Sequence, residues 1–286
     1  MTVHANASTK QLVTQMGTQT VLQVQDLIIT NTLTGEALVK GVSFSLQRGT
    51  SLGIVGESGS GKSLTCKAIL GILPDNLKIT SGHIVFDGIN VTHFGNDQWR
   101  PLRAVRISAV FQDPGSYLNP SITVGKQLAQ VLRQRTTAPA KEVDARALTM
   151  FTRVGLRNPA LVYGQYPYEL SGGMLQRIVI AIAVAAQPIL LIADEATTAL
   201  DVTVQAEVLD LLTDLRAQGA LSLVFVTHDL AVVAQISDDL IVMCDGGIVE
   251  SGSTQHLLSE PQHPYTQLLI QDHLEYGLDK FIDHKV

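Results

Sequence analysis

The chain has 286 residues, of which 45% are hydrophobic and 16% are charged. This composition is typical of a globular protein with a sizeable core and excludes a disordered chain. The formal net charge of -6 provides no broad basic field, so we expect no nucleic-acid partner. The two cysteines, Cys66 and Cys244, lie far apart in the sequence and form neither a zinc-binding nor a disulfide pattern.

A membrane span is not expected, although the mean hydropathy of +0.22 is high. The most apolar stretch begins at Ile178, and Gln187 and Pro188 interrupt it well short of the ~20 apolar residues that a spanning helix needs. Residues 1–20 are rich in Ser, Thr and Gln and have no apolar core, which predicts a flexible tail and no signal peptide.

The first predicted elements form an antiparallel flap. "LQVQDLII" from Leu22 and "VSFSLQ" from Val42 alternate apolar and polar residues, and Thr34–Glu36 reads as a turn between two half-buried strands. A short apolar strand, "SLGIVG", then enters a glycine-rich loop. "KSLTCKAILGIL" follows with helical spacing and ends before Pro74.

Several later segments predict a sheet that is covered on both faces. The strand candidates are "HIVFDG", "RISAVFQ", "ILLIADE", "SLVFVTHD" and "DLIVMCDGGIVESG", and several are too uniformly apolar to have a solvent-exposed face. Such strands are typical of α/β folds. Between Gln112 and Gln187 the spacing is helical and contains no strand pattern, which predicts a helical insertion.

The loop after the strand "SLGIVG" carries the strongest chemical signal. "GESGSGKS", Gly56–Ser63, matches G-x-x-x-x-G-K-[ST] between a predicted strand and a predicted helix. Its backbone N–H groups, the helix N-terminus and the Lys62 ammonium are suited to nucleotide phosphates, and Ser63 is suited to Mg²⁺. A glycine-rich turn with a coincidental lysine is disfavoured by both flanking elements. The predicted nucleotide-binding residues are Gly56, Glu57, Ser58, Gly59, Ser60, Gly61, Lys62, Ser63 and Leu64.

Two acids end the apolar segment "LLIADE". With a phosphate-binding loop in the same chain, we expect Asp194 to help hold Mg²⁺. Glu195 is suited to orient and polarise the attacking water as a general base. Taken without that loop, the two acids would simply end a strand.

"LSGGMLQR" places Ser171, Gly172 and Gly173 before an apolar helix. A helix N-terminus is an anion site, and the alternative is ordinary capping by Ser171. Capping does not explain two glycines. Because the loop at Gly56–Ser63 already encloses one nucleotide, we interpret these three residues as a cover for ATP that is held by a second subunit.

These motifs together resemble the ATP-binding-cassette ATPases, from about Leu22 to the end of the chain. The resemblance implies a P-loop α/β cassette with a mixed core sheet, an antiparallel β flap and a helical insertion. It also implies roles for three further residues. Gln112 in "VFQDP" would contact Mg²⁺ and water, Asp201 in "TTALD" would touch the partner subunit, and His228 in "FVTHD" would contact the γ phosphate.

The cassette organisation divides the chain into predicted segments. Residues 1–20 are the flexible tail, 21–112 and 188–250 form the nucleotide-binding core, 113–187 form the helical subdomain, and 251–286 form a C-terminal extension. The chain departs from the family pattern at Ala196, where proline is usual. The region "LIITNTLTG" also lacks the aromatic residue on which the family often stacks adenine.

The absence of a second cassette, a coiled-coil insertion, a zinc module or a fused membrane domain favours a separate importer ATPase. "HPYTQLL", "SLTCKAILGILP", "YPYELSGGMLQR" and "DHLEYGL" resemble the nickel and peptide uptake group, and most closely the first ATPase subunit of nickel importers. Peptide uptake is the alternative within transport, and a regulatory or DNA-associated ATPase is the alternative outside it.

The resemblance also implies partners. They are an identical or paralogous ATPase subunit in a head-to-tail dimer, with the paralogue favoured, two membrane permeases and an extracytoplasmic substrate-binding protein. The expected location is the cytoplasmic face of the inner membrane, as a peripheral subunit.

Overall fold

The computed structural model of the chain describes residues 20–197, 202–217 and 221–274. The strands in chain order are β1 (Thr20–Asn31), β2 (Ala37–Gln47), β3 (Ser51–Val55), β4 (Leu77–Phe86), β5 (Ile89–Asn90), β6 (Ile107–Phe111), β7 (Leu190–Asp194), β8 (Ser222–Val226), β9 (Asp239–Cys244) and β10 (Gly247–Ser253). The α-helices are α1 (Lys62–Ile69), α2 (Asn96–Val105), α3 (Val124–Arg133), α4 (Ala140–Arg153), α5 (Pro159–Tyr163), α6 (Gly172–Ala185), α7 (Val202–Ala217), α8 (Leu230–Ile236), α9 (Thr254–Ser259) and α10 (Pro264–Leu274).

The strands form two sheets. The larger sheet has the order β10-β9-β3-β8-β7-β6, and its strands run parallel except at the β10 edge. The smaller sheet, β2-β1-β4-β5, is antiparallel throughout. This arrangement confirms the predicted α/β fold class with a mixed core sheet and an antiparallel flap.

The central strands are buried on both faces, as their uniformly apolar sequences predict. Every residue of β3, β7 and β8 is buried. In β7, Leu190 and Ile192 pack toward the flap. Leu191 and Ala193 pack toward the predicted helical insertion, residues 113–187, which we call the helical segment. Because side chains alternate along a strand, one short segment joins the two halves of the core.

The predicted helical insertion contains helices throughout. All of residues 113–187 are described, and they form α3, α4, α5, α6 and two short 3₁₀ turns without any strand. Arg177 of α6 donates to the carbonyl of Val154 after α4 and pairs with Glu207 of α7. This arginine therefore fastens α6 to helices on either side of it.

Asp87 joins the flap to the core sheet. It follows β4, is only 3% exposed and pairs with both Arg48 and Arg106. Arg48 lies between β2 and β3, and Arg106 lies directly before β6. One buried carboxylate thus connects the flap to the residues that precede two strands of the larger sheet, β3 and β6.

The C-terminal part differs from the sequence prediction in one element. The segment "DLIVMCDGGIVESG" is not one strand but a hairpin, because Asp245 and Gly246 both adopt positive φ and form the turn between β9 and β10. Asp-Gly is a typical two-residue hairpin turn. Strand β10 also crosses the predicted boundary between residues 250 and 251, so the C-terminal helices begin after Ser253.

The described residues 20–197, 202–217 and 221–274 contain ten α-helices. None combines the length and the apolar character needed to cross a bilayer. The apolar helix α6 ends at Ala185, before Gln187 and Pro188.

Removing the charge of Asp87 is expected to destabilise the fold. Asp87→Asn retains a side chain that tolerates the positive φ at this position but leaves two arginines without their carboxylate. We expect a loss of about 2–3 kcal/mol, less than the ~3–5 kcal/mol typical of a fully buried pair, because the Arg48 and Arg106 side chains are 25% and 14% exposed. Urea unfolding of the full chain measures the loss.

The control for Asp87→Asn is Glu142→Gln. This change removes the ion pair between Glu142 and Arg146, and both of these side chains are 51% exposed. That change is expected to cost no more than about 0.5 kcal/mol. Equal losses from the two variants would contradict the role assigned to Asp87.

Candidate nucleotide-binding site

The sequence-predicted site residues follow neighbouring strands of the larger sheet, at the edge formed by the carboxyl ends of these strands. In the register, Phe111 of β6 pairs with Asp194 of β7, and Asp194 pairs with Val226 of β8. Because these strands are parallel, Gln112, Glu195 and the segment after Val226 emerge at the same edge. The loop that begins at Gly56 leaves β3 at this edge as well.

The glycine-rich loop closes around the ammonium group of Lys62. Lys62 Nζ donates to the carbonyl oxygens of Gly56 and Glu57, each at 2.7 Å. Burial lowers the pKa of Lys62, and the carboxylates of Glu195 and Asp194 partly offset this effect. Gly56 has φ +146, and a Cβ atom there would lie 2.1 Å from the carbonyl oxygen of Met243, so the position requires glycine.

Ser63 and Asp194 meet although 131 residues separate them in the sequence. The Ser63 hydroxyl, in the first turn of α1, donates to Asp194 Oδ1 at 3.0 Å. Asp194 is only 6% exposed, and burial raises the pKa of its carboxyl while the Ser63 hydrogen bond partly offsets the rise. A buried acid paired with a hydroxyl at this edge provides oxygen donors suited to a hard cation.

Glu195 directly follows β7 and has an unusual backbone conformation. Its φ of 50° lies in the left-handed region, which is rare for a residue other than glycine, and its N–H donates to the Val226 carbonyl at 2.9 Å. His228 Nδ1 lies 4.0 Å from Glu195 Oε1. The Glu195 and His228 side chains are 22% and 55% exposed, so both reach the solvent-facing side of the edge.

Two predicted residues are not brought into this cluster by the described contacts. Gln112 is exposed and lies one residue beyond the Phe111–Asp194 pair. Asp201 lies outside the described residues. Their roles therefore stay predictions.

The "LSGG" segment begins α6. The Ser171 side chain accepts a hydrogen bond from Met174 N at 3.4 Å. Ser171 therefore caps α6, which was the alternative to an anion site in the sequence analysis. Ser171 and Gly172 are exposed. A Cβ atom added to Gly172 would have no neighbour within 4 Å in the described chain, so packing inside the chain does not account for this glycine.

Sequence reasoning missed two residues beside the site. Asp229 caps α8 by accepting from Ala231 N at 2.9 Å, and an aspartate before an apolar helical run is a signal that could have identified it. Tyr265 in α10 accepts a hydrogen bond from Glu57 N at 3.1 Å. No local pattern connects Tyr265 with a loop 208 residues away.

A family model described as "ABC transporter" matches residues 39–198, more than half of the chain. The chain belongs to the ABC transporter family. It is an ATPase of this type, and its fold is the ATP-binding cassette.

Curated relatives match most of the chain. The metal-staphylopine import system ATP-binding protein CntD of Staphylococcus aureus is 40% identical over 263 residues, which cover 90% of this chain and 97% of the relative. The dipeptide transport ATP-binding protein DppD of Bacillus subtilis is 43% identical over 253 residues, which cover 87% of this chain and 76% of the relative.

Solved structures of the family share the fold. A dimeric post-hydrolysis state of the ATP-binding cassette MJ0796, bound to ADP and Pi, has a TM-score of 0.73 at 27% identity and covers 82% of this chain and 98% of its own. CbiO1 of Clostridium perfringens, part of the ABC transporter complex cbiONQ, has a TM-score of 0.74 at 25% identity and covers 94% of this chain and 100% of its own.

The raised pKa of Asp194 has a consequence for stability. An acid with a higher pKa in the folded state binds more protons there than in the unfolded state, so stability is lost as pH rises through that window. At neutral pH the charged, buried carboxylate of Asp194 therefore lowers the free energy of unfolding of the chain. Asp194→Asn is expected to raise the urea midpoint at pH 7.

The gain from Asp194→Asn is expected to shrink as the pH of the unfolding measurement falls into the acidic range, because wild-type Asp194 takes up a proton in the folded state before it does so in the unfolded state. If Asp194 helps to hold Mg²⁺, as its position in the sequence predicts, the same variant loses at least ~100-fold in ATP hydrolysis, because a bound metal ion stabilises transition-state charge by several kcal/mol. A stability gain that does not change with pH would contradict this explanation.

Proposed function

We propose that this chain is the ATP-hydrolysing subunit of a bacterial importer and that it binds ATP through Gly56–Leu64. The observation that carries the proposal is the hydrogen bond from Ser63 to Asp194, which lies beside the loop that binds the Lys62 ammonium group. These groups supply phosphate-binding N–H donors, a cation and a buried carboxylate at one edge of a sheet.

The donor set fits Mg²⁺. No group of three or more His, Cys, Asp or Glu side chains able to cage a metal occurs among the described residues, whereas Ser63 and Asp194 supply oxygen donors at the loop. Mg²⁺ is typically bound by one or two protein oxygens together with nucleotide phosphates and water. When bound, it would neutralise charge on the phosphates; Ser63, Asp194 and Gln112 are the residues proposed to face it.

Glu195 is proposed as the general base for hydrolysis. Its carboxylate lies next to Asp194 at the sheet edge and is partly exposed, so it can accept a proton from a water molecule in line with the γ phosphate. His228, whose Nδ1 lies 4.0 Å from Glu195 Oε1, is proposed to contact the γ phosphate. Lys62 would move from the loop carbonyls to the phosphates as ATP binds.

Ser171, Gly172 and Gly173 are proposed to close over ATP in a second subunit. The supporting observation is that Gly172 is exposed and that nothing in the described chain occupies the space beside it. Exposed N–H groups at the start of α6 can meet a phosphate that approaches from outside the chain. Asp201 is proposed to contact the same partner, which is an identical or a paralogous ATPase subunit.

A groove beside Gln112 is the proposed contact with two membrane permeases. It has a volume of about 1000 Å³ and lies between the core sheet and the helical segment, with Arg103, Phe111, Tyr117 and Val179 in its lining. Movement of the helical segment during hydrolysis would reach the permeases here. This assembly places the chain at the cytoplasmic face of the inner membrane, with an extracytoplasmic binding protein supplying the cargo.

The proposed cargo is nickel, either as the ion or as a metal chelate. The motifs "SLTCKAILGILP" and "YPYELSGGMLQR" support nickel, and the relative CntD belongs to a metal-staphylopine import system. A peptide is the second candidate, because the dipeptide transport protein DppD is 43% identical. Both cargoes use the same ATPase chemistry.

Replacing Glu195 tests the proposed base. Glu195→Gln keeps the size of the side chain but cannot accept the proton, so hydrolysis is expected to fall by about 10²–10⁴-fold while ATP affinity is unchanged. Phosphate release and isothermal titration of the full chain measure the two quantities. Asp210→Asn, a similar change on α7 away from the site, is the control. Hydrolysis by Glu195→Gln near the wild-type rate would exclude Glu195 as the base.

Uptake by cells tests the cargo. Cells that carry the wild-type gene, a deletion or Lys62→Ala are given labelled nickel, labelled nickel chelated by staphylopine, or a labelled dipeptide. The proposal expects the deletion and Lys62→Ala to lose uptake of a nickel species and to retain dipeptide uptake. Loss of dipeptide uptake alone would contradict the nickel assignment and support the second candidate.

A further inference from the structure

The C-terminal helices pack behind the strand that leads into the phosphate-binding loop. Val55, the last residue of β3, shares a buried cluster with Val242 of β9, Leu257 of α9, and Leu269 and Ile270 of α10. Tyr265 packs against the same cluster. Because Gly56 follows Val55 directly, α10 is anchored at the base of the loop.

Tyr265 also contacts the loop itself. The Glu57 N–H donates to the Tyr265 hydroxyl at 3.1 Å. From the inner side of the loop, Lys62 Nζ donates to the carbonyls of Gly56 and Glu57. The Gly56–Glu57 segment is therefore held from outside by the tyrosine and from inside by the lysine.

The start of α10 is itself fixed to the larger sheet. The Glu250 carboxylate of β10 accepts from Gln262 N at 2.8 Å and from His263 N at 3.1 Å. Tyr265 N donates to His263 Nδ1 at 3.2 Å. Glu250 and His263 thus set the position of the backbone from which the Tyr265 ring reaches the loop.

The Tyr265 hydroxyl stays neutral at physiological pH. Burial raises the pKa of Tyr265, and the nearby negative charges of Glu57 and Asp245 raise it further, while the hydrogen bond from Glu57 N partly offsets these effects. A neutral hydroxyl can accept the Glu57 N–H and still keep its own proton.

We propose that Tyr265 is a positioning residue for nucleotide binding, because its hydroxyl holds the first turn of the phosphate-binding loop in the conformation that receives ATP. The inference rests on the proposed nucleotide site at Gly56–Leu64. As Lys62 moves to the phosphates, it releases the carbonyls of Gly56 and Glu57, and the contact from Tyr265 continues to hold this segment. The C-terminal extension is thereby part of the apparatus that sets ATP affinity.

The test compares two Tyr→Phe variants of the full chain. Tyr265→Phe removes the hydroxyl and keeps the ring that packs in the C-terminal cluster. Tyr163→Phe is the matched control, because its hydroxyl donates to Asp144 Oδ1 at 2.7 Å in the helical segment. Titration with a non-hydrolysable ATP analogue gives Kd, steady-state hydrolysis gives KM and kcat, and urea unfolding reports stability.

We expect Tyr265→Phe to raise Kd and KM by about two- to tenfold, the range for one net hydrogen bond, with kcat at saturating ATP unchanged within about twofold. Tyr163→Phe is expected to leave Kd and KM at their wild-type values, whatever it does to stability. Wild-type Kd for Tyr265→Phe, or equal rises in Kd for both variants, would overturn the positioning role.

The wild-type arm separates this inference from the proposed function. A wild-type chain that fails to bind the analogue would count against the nucleotide site itself. Binding by the wild type together with unaltered binding by Tyr265→Phe would leave that site in place and remove only the role of Tyr265.

Discussion

The hydrogen bond from Ser63 to Asp194 is the contact on which the proposed chemistry depends. It joins the first turn of α1 to the end of β7, two elements that are 131 residues apart in the sequence. The contact forms because β3 and β7 lie on either side of β8 in a parallel sheet, so both strands end at the same edge. A change in strand order would separate the serine from the carboxylate without changing either motif.

The rest of the molecule keeps these strand ends in place. Apolar residues on both faces of β7 and β8 bury the centre of the sheet, and Asp87 fixes the flap to the core through Arg48 and Arg106. At the site itself the chain carries features that reduce stability, namely the buried carboxyl of Asp194 and the left-handed backbone of Glu195. Strain and buried charge at a functional site are compensated by packing elsewhere.

Much of the fold was accessible from the sequence, because its signals are local. The period-two flap strands, the uniformly apolar core strands, the glycine-rich loop and the helical segment after Gln112 each depend on neighbouring residues, and the structure contains all of them. The hairpin at Asp245 was missed, although Asp-Gly marked the turn between its two strands. Helix α2 was not predicted, and it contains Pro101, a residue that is unusual inside a helix.

The remaining features of the site depend on contacts between distant segments. Nothing local to Tyr265 shows that its hydroxyl meets Glu57, and nothing local to Asp87 shows that two arginines converge on it. Motif spacing identified Ser63 and Asp194 separately, but only strand order brings them within hydrogen-bonding distance. Sequence patterns therefore identify the reactive groups, whereas topology determines their geometry.

A double-mutant cycle between Ser63 and Asp194 tests the central claim most directly. ATP affinity is measured for the wild type, Ser63→Ala, Asp194→Asn and the double variant, each with Mg²⁺ and with EDTA. If the two side chains hold the same metal ion, their losses of ATP affinity in Mg²⁺ are non-additive, with a coupling of about 0.5–3 kcal/mol. This coupling disappears in EDTA. Additive losses, or the same coupling in EDTA, would contradict the account.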